Sequence, residues 1–313
     1  MYRIGVDIGG MSIKVGLVNN NGDIIQKNVK KTAPTYNETV INLVKQIKEV
    51  LASENISTKD ILGVGIGCPG LILSKEGIIL SSSNLCWQNV NIVEDLQKVL
   101  DVKVKLSNDA NVAALAEAKY GKAKGVKDAI MFTLGTGVGG GIVVDGKLFE
   151  GGNSLGAEIG HFTIVKGGEK CGCGRSGCIE QYVSASALIR DTKIAMTKDK
   201  NSKMWDFVNG DINAVDGRTA FETSKLGDKT ANEVIDNFIA YLGEGIMSMH
   251  NIFRPEVFII GGGVSAQGDY LINKLVDYCE KYSFGLSGCP IPKIVVASLG
   301  NDAGIIGAGE LVA

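Results

Sequence analysis

Gly156-Ala157-Glu158-Ile159-Gly160-His161 and, after nine intervening residues, Cys171-Gly172-Cys173-Gly174-Arg175-Ser176-Gly177-Cys178-Ile179-Glu180 form the stretch from which the rest of the chain is read. Borderline-soft Zn²⁺ favours thiolate and imidazole ligands in a tetrahedron, and His161, Cys171, Cys173 and Cys178 supply that set. The interleaved Gly172, Gly174 and Gly177 let the backbone turn tightly enough for neighbouring sulfurs to converge on one ion. A closed Cys₃His shell leaves no position for water or substrate, so the expected zinc is structural rather than a Lewis acid. The competing reading is a reduced, buried cysteine cluster or a disulfide. It is the weaker one, because a cysteine-rich loop in a chain of otherwise cytosolic character more often binds metal.

The chain has 313 residues, 45% of them hydrophobic, which suffices for two domains with a sizeable core. The formal charge is −2, and Lys and Arg are spread rather than clustered, so no nucleic-acid partner is expected. Seven cysteines is an odd number, and Cys68, Cys86, Cys279 and Cys289 are scattered among apolar or turn residues. They read as free thiols in a reducing compartment. The chain opens on the strand-like Tyr2-Arg3-Ile4-Gly5-Val6, which points to no signal peptide, and no apolar run approaches membrane-spanning length. A cytoplasmic protein without a membrane partner is the expectation. The 42 glycines fall in clusters after strand-like runs, where backbone must approach something closely.

Residues 4–7, 13–18 and the run from 24 onward read as strands, with a glycine turn at Gly9-Gly10 and an Asn-Gly turn at Asn21-Gly22. The segment Asp7-Ile8-Gly9-Gly10-Met11-Ser12-Ile13-Lys14 is then a hairpin loop. Such a loop presents backbone N–H groups and the Ser12 hydroxyl to phosphate, with Lys14 adding charge, although a plain hairpin turn is the competing reading. A similar pattern returns at 130–151: strand, Gly135-Thr136-Gly137, strand, an Asp145-Gly146 turn, strand. The repeat suggests two related halves facing each other across a nucleotide. A third run, Gly261-Gly262-Gly263, follows a strand at 257–260 and precedes a helix. None of the three is a Walker A motif or a dinucleotide fingerprint.

Between these lie helices. Residues 37–51 place Val40, Leu43, Val44, Ile47, Val50 and Leu51 on one face, and 92–100 is a shorter example. A strand at 102–106 ends at Ser107-Asn108-Asp109 before a helix over 111–119, so Asp109 sits where open α/β sheets hold their ligands. A helix cap is its rival role. Residues 186–250 are helix-rich, with 231–249 the clearest helix, and 198–219 carries no assignable pattern. A helix at 270–282, a strand at 294–297 and a helix at 303–311 close the chain.

His161, nine residues, then Cys-x-Cys-Gly-x-x-Gly-Cys-x-Glu resembles the motif of the ROK family (repressors, open reading frames and sugar kinases), and every fixed position is present. The resemblance runs over essentially the whole chain. It implies an α/β actin-like ATPase (sugar kinase/ribonuclease H-like) fold of two domains with a ligand cleft between them. The expected small domain is 1–120 joined by 301–313, and the large one is 121–300 with the zinc loop and a hinge near 121–125. Asn108-Asp109-Ala110-Asn111-Val112-Ala113-Ala114-Leu115-Ala116-Glu117 is similar to the family segment whose Asp is the catalytic base and whose preceding Asn binds sugar.

By the same resemblance Asn84, Asn108, Asp109, Glu158, His161 and Glu180 are the sugar contacts. Asp7, Gly9, Gly10, Ser12, Lys14, Gly135, Thr136, Gly137 and the adenosine-side Gly261, Gly262 and Gly263 face ATP and its Mg²⁺. Zinc bound to one ring nitrogen of His161 would fix the tautomer and aim the other N–H at a hydroxyl, with Glu180 held close to Cys178. His250 reads as structural. The implied activity is ATP-dependent phosphorylation of a hexose at its 6-hydroxyl, glucose first, with N-acetylmannosamine or another hexose as the alternative, in a homodimer. A sugar-sensing repressor is the reading from another class. Family repressors carry a winged helix-turn-helix ahead of the kinase-like fold, and here one residue precedes the first strand.

Overall fold

The computed structural model describes residues 1–284 and 290–313, so Cys289 lies outside the described residues. Strands β1 (Tyr2–Ile8), β2 (Ser12–Val18) and β3 (Ile24–Lys31) run antiparallel in succession. At the second turn Gly22 takes φ +83°, and Asn19 Oδ1 accepts the N–H groups of Asn21 and Asp23. Strand β4 (Ile61–Cys68) adds to the far side of β1 in parallel. A separate antiparallel meander follows, β5 (Leu71–Leu73), β6 (Ile78–Ser82) and β7 (Trp87–Val90). Strand β8 (Val104–Asn108) pairs with β4, giving the order β3-β2-β1-β4-β8.

The second sheet repeats this pattern. Strands β9 (Ala129–Leu134), β10 (Val138–Val144), β11 (Lys147–Leu148), β12 (Val257–Gly261) and β13 (Lys293–Val296) lie in the order β11-β10-β9-β12-β13. In both sheets the hairpin strands extend one side of the first strand and the later strands the other. Asp145 and Gly146, both at positive φ, make the tight β10–β11 turn.

The chain forms two compact units, Met1–Ala129 with Gly141–Ala157 and Ser298–Ala313, and Ile130–Gly140 with Glu158–Ala297. In the first, helix Tyr36–Ser53 starts at a Thr35 cap whose hydroxyl accepts the Glu38 N–H. It buries Leu43, Ile47, Val50 and Leu51 on the sheet, while Val40 and Val44 pack half-buried beside them. Gln46, also buried, donates to the carbonyls of Ile13 and Asn28 and so pins the helix to β2 and β3.

The closing helix Ala303–Glu310 lies against bare backbone. A Cβ on Gly5 would fall 1.9 Å from Ile305 O, one on Gly65 1.7 Å from Ala308 O, and one on Gly307 1.7 Å from Val112 O. Only glycine at these positions permits so close an approach. Glu310 at its end is buried, pairing with Arg3 at 2.5 Å and accepting from Tyr120 Oη at 2.7 Å and from Lys119. In the second unit the long helix Lys229–Phe253 packs beside helix Asp269–Tyr282, and Phe132 stacks on Phe258 between β9 and β12. The unpatterned 198–219 segment holds short pieces, helix Met204–Phe207 and a 3-10 turn Ile212–Ala214, each too brief to show a period.

Glu310→Ala would leave the Arg3 guanidinium buried without a counter-charge, and urea unfolding should show a loss of about 3–5 kcal/mol. Lys27→Ala removes the exposed pairing with Asp302 and should cost less than about 1 kcal/mol. Equal stabilities for the two variants would remove the buried pair as the anchor of the closing helix.

Candidate functional site

In the first unit the β1–β2 turn is built from behind. Gly9 N–H donates to Ser12 O at 2.9 Å, and Thr32 closes the turn by donating its hydroxyl to Gly9 O and its N–H to Met11 O. Asp7, at the end of β1, pairs with Lys14 Nζ at 2.7 Å, and Lys14 also donates to Asn301 O. Gly304 lets the closing helix reach Asp7, since a Cβ there would sit 2.8 Å from the carboxyl carbon. Gly10 lies against the β6–β7 turn that carries the exposed Asn84, with a Cβ on Gly10 only 3.3 Å from Asn84 O.

The carboxyl end of β8 carries Asn108 and Asp109. Asn108, not Asp109, caps helix Asp109–Tyr120: its Oδ1 accepts from Ala110 N at 2.8 Å and more weakly from Asn111 N, while Nδ2 donates to Gly70 O. The cap role that competed for Asp109 is thus filled by its neighbour. Asp109, in the first helical position, accepts from Ala110 N at 2.9 Å. Burial pushes its carboxyl above the usual range, the Ala110 N–H opposes that, and the charge of Asp7 pushes it up again. A carboxylate held more basic than usual is a better proton acceptor.

In the second unit the turn Gly135-Thr136-Gly137 is braced by the start of helix Ala185–Lys198. Ala185 N–H donates to Gly135 O and the Ser186 hydroxyl to Thr136 O, both at 2.8 Å, while Gly137 O accepts from Gly135 N. Gly262, at φ +80°, packs on the end of β9: a Cβ there would be 2.5 Å from Leu134 O. The glycine run 261–263 therefore adjoins the 135–137 turn. It leads first into a 3-10 turn, Gly263–Gln267, and only then into helix Asp269–Tyr282.

Val138 is where three of the expected elements meet. Its N–H donates to Glu180 Oε2 at 3.0 Å. Its carbonyl touches the 3-10 turn Ile159–His161, which Gly160 allows to lie flat, a Cβ there falling 2.0 Å from Val138 O. Glu158 begins that turn, its carbonyl accepting His161 N–H. The other oxygen of Glu180 accepts from Cys171 Sγ at 3.5 Å and from Gln181 Nε2.

His161, Cys171, Cys173 and Cys178 bring their ligand atoms within 4.8 Å of one another. Cys171 Sγ lies 3.6 Å from His161 Nδ1, and Cys173 Sγ lies 3.6 Å from Cys178 Sγ. Tetrahedral zinc with Zn–S near 2.3 Å sets its sulfurs about 3.8 Å apart, whereas a disulfide is about 2.05 Å. The spacing suits one tetrahedral ion and excludes a Cys173–Cys178 disulfide. Nδ1 is the ring nitrogen on the cluster side.

Sequence reading missed the braces. Thr32, Ala185, Ser186 and Gly160 carry no motif of their own; their roles depend on what folds against them. Gly160 alone had a signal, lying immediately before a ligand histidine.

The ROK family pattern matches residues 3–313. A glucokinase from Halalkalibacterium halodurans is 35% identical, the alignment covering 99% of this chain and 94% of that protein. The solved ROK family glucokinase from Streptomyces griseus, in complex with glucose and AMPPNP, has a TM-score of 0.80 at 31% identity and covers 99% of each chain. The ROK hexokinase from Thermus thermophilus has a TM-score of 0.85 at 30% identity, covering 100% of this chain and 98% of that one. The architecture is accordingly the actin-like ATPase fold of these sugar kinases. With its motif residues gathered around one set of metal-ligand atoms and its whole length matched, this chain belongs to the ROK family.

Proposed function

We propose that the protein is an ATP-dependent hexose kinase that phosphorylates glucose at its 6-hydroxyl. The observation that carries this reading is similarity from end to end to glucokinases, one of them solved with glucose and AMPPNP. Asp109 takes the proton of the hydroxyl as its oxygen bonds to the γ-phosphorus and the bond from that phosphorus to the bridging oxygen breaks, so that ADP leaves. Its raised proton affinity supports that role. Asn84, Asn108, Glu158, His161 and Glu180 are the proposed hydroxyl partners.

The turns at Gly9-Gly10 and at 135–137, with Asp7, Ser12, Lys14 and Thr136, are the proposed phosphate side, and 261–263 the adenosine side. The carbonyls of the 135–137 turn and the Gly135 N–H are already engaged, which leaves the amides of Thr136 and Gly137 as its groups for an anion. Mg²⁺ accompanying the nucleotide would offset phosphate charge. Zinc on His161 and the three cysteines would be structural, holding His161 and Glu180 in place. A cytoplasmic homodimer is proposed from the family. Two observations are consistent with a reducing compartment and no membrane span: the described cysteines are all free thiols, and no described helix is long and apolar enough to cross a membrane.

Asp109→Asn keeps the shape but cannot take the proton. With a panel of glucose, mannose and N-acetylmannosamine scored by ADP release, the parent should prefer glucose and the variant should lose about 10²–10⁴ in kcat. Calorimetric glucose affinity should change little. In the parent, kcat/KM should fall on acidification at a pH above the ordinary Asp value of about 3.9. Near-normal kcat in the variant would exclude Asp109 as base.

The two glycines of the 135–137 turn should separate. A Cβ on Gly135 meets nothing within 4 Å, whereas one on Gly137 lies 2.5 Å from Glu180 Oε2. Gly135→Ala should therefore raise KM for ATP alone. Gly137→Ala should weaken glucose binding as well, measured by steady-state kinetics with each substrate varied; a purely nucleotide effect there would contradict the packing of Glu180.

A further inference from the structure

Glu150 has both carboxylate oxygens engaged by serine hydroxyls, one on β8 and one just past the end of β5. Ser107 Oγ donates to Oε1 at 2.6 Å and Ser74 Oγ to Oε2 at 2.7 Å. Ser107 is fully buried on β8, two residues before Asp109, and Ser74 directly follows β5. Hydrogen bonds to an ionised carboxylate are the strong, short kind, and a bidentate pair fixes orientation as well as distance. The backbone of Glu150 is tied too, since its carbonyl accepts Gly156 N–H at 2.9 Å and closes residues 150–156 into a loop. Lys75 Nζ adds a bond to Gly152 O.

We infer that Glu150 is a positioning residue, a clamp that sets the base-bearing end of β8 and the 150–157 loop in fixed register. The inference rests on the hexose-kinase reading. Asn108 sits at the end of a five-residue strand with Asp109 directly after it, and Glu150 joins that strand to the loop preceding Glu158. Left without Glu150, the Ser107 hydroxyl loses its acceptor inside the core, and the loop loses its anchor at the point where it leaves β11. A gap of about 1 Å at a reacting group can cost about 10²-fold in rate. The clamp therefore acts on the sugar and the base, and leaves the glycine turns that face ATP alone.

The test compares Glu150→Ala, Glu150→Gln and Ser74→Ala with the parent, using full kinetics in glucose and in ATP, with melting temperature and metal content as checks on folding. Glu150→Ala should raise KM for glucose and lower kcat, together by about 10²-fold in kcat/KM, with KM for ATP within about twofold. Glu150→Gln should recover most of that, because the amide can accept from one serine and donate to the other. Ser74→Ala should fall between. Parent-like glucose kinetics in Glu150→Ala, equal losses toward both substrates, or no recovery in Glu150→Gln would overturn the clamp. If the parent itself phosphorylates no hexose, the kinase reading fails; the clamp is refuted only where the parent is active and the variants do not separate in this way.

Discussion

The second unit hangs on the backbone of one residue, Val138. Its N–H is held by Glu180 and its carbonyl is packed against Gly160, so the glycine turn before it, the Glu158–His161 turn and the short helix opened by Glu180 share one reference point. Glu180 extends the chain of constraint, since it follows the ligand residue Cys178 by two positions and is tied to the metal-ligand cluster through the backbone. A buried network in which each polar group has its partner is rigid, and a partly satisfied one is costly. The cysteine loop, three sugar candidates and a phosphate-turn candidate are thus fixed against each other without any of them lying on a long element. Irregular backbone can be held this well only if something closes it, which is what four converging ligand atoms supply.

The first unit solves a related problem with glycine. Helix Ala303–Glu310 needs to reach the Asp7–Lys14 end of the hairpin, and a helix packed through ordinary side chains would stand too far from the sheet. Gly5, Gly65, Gly304 and Gly307 remove that spacing. Glu310 then locks the far end through Arg3, Tyr120 and Lys119. A second carboxylate, Glu117, is fully buried and accepts the N–H groups of Ser298 and Leu299, fixing the chain just before this helix. Two buried carboxylates at the ends of one short helix make its placement specific, because each is satisfied in only one arrangement.

What was legible in the sequence was whatever repeats or has a period. The Asn-Gly hairpin, the doubled strand–turn–strand unit and the apolar stripe of helix Tyr36–Ser53 all declare themselves locally, and the cysteine spacing carries its own chemistry. The three-stranded meander did not, since Leu71–Leu73 and Trp87–Val90 are too short for an alternation to emerge. Nor was the capping of helix Asp109–Tyr120 legible: both Asn108 and Asp109 are good caps, and which one takes the role depends on where β8 ends. Of the candidate residues, the metal-ligand set could be named from type and spacing, and the sugar contacts from the family resemblance. The groups that hold them, such as Thr32, Ser186 and Glu150, are ordinary residues whose function exists only once distant segments have met.

If the cysteine loop, Glu180 and the glycine turn are one assembly closed by the proposed zinc, removing that ion should loosen all of it. The most direct measurement is calorimetric glucose affinity on protein stripped with a chelator, with zinc content determined on the same sample and the titration repeated after zinc is returned. Affinity should fall about tenfold or more on stripping and recover on reloading. Stripped, folded protein that binds glucose as tightly as the loaded protein would contradict the coupling.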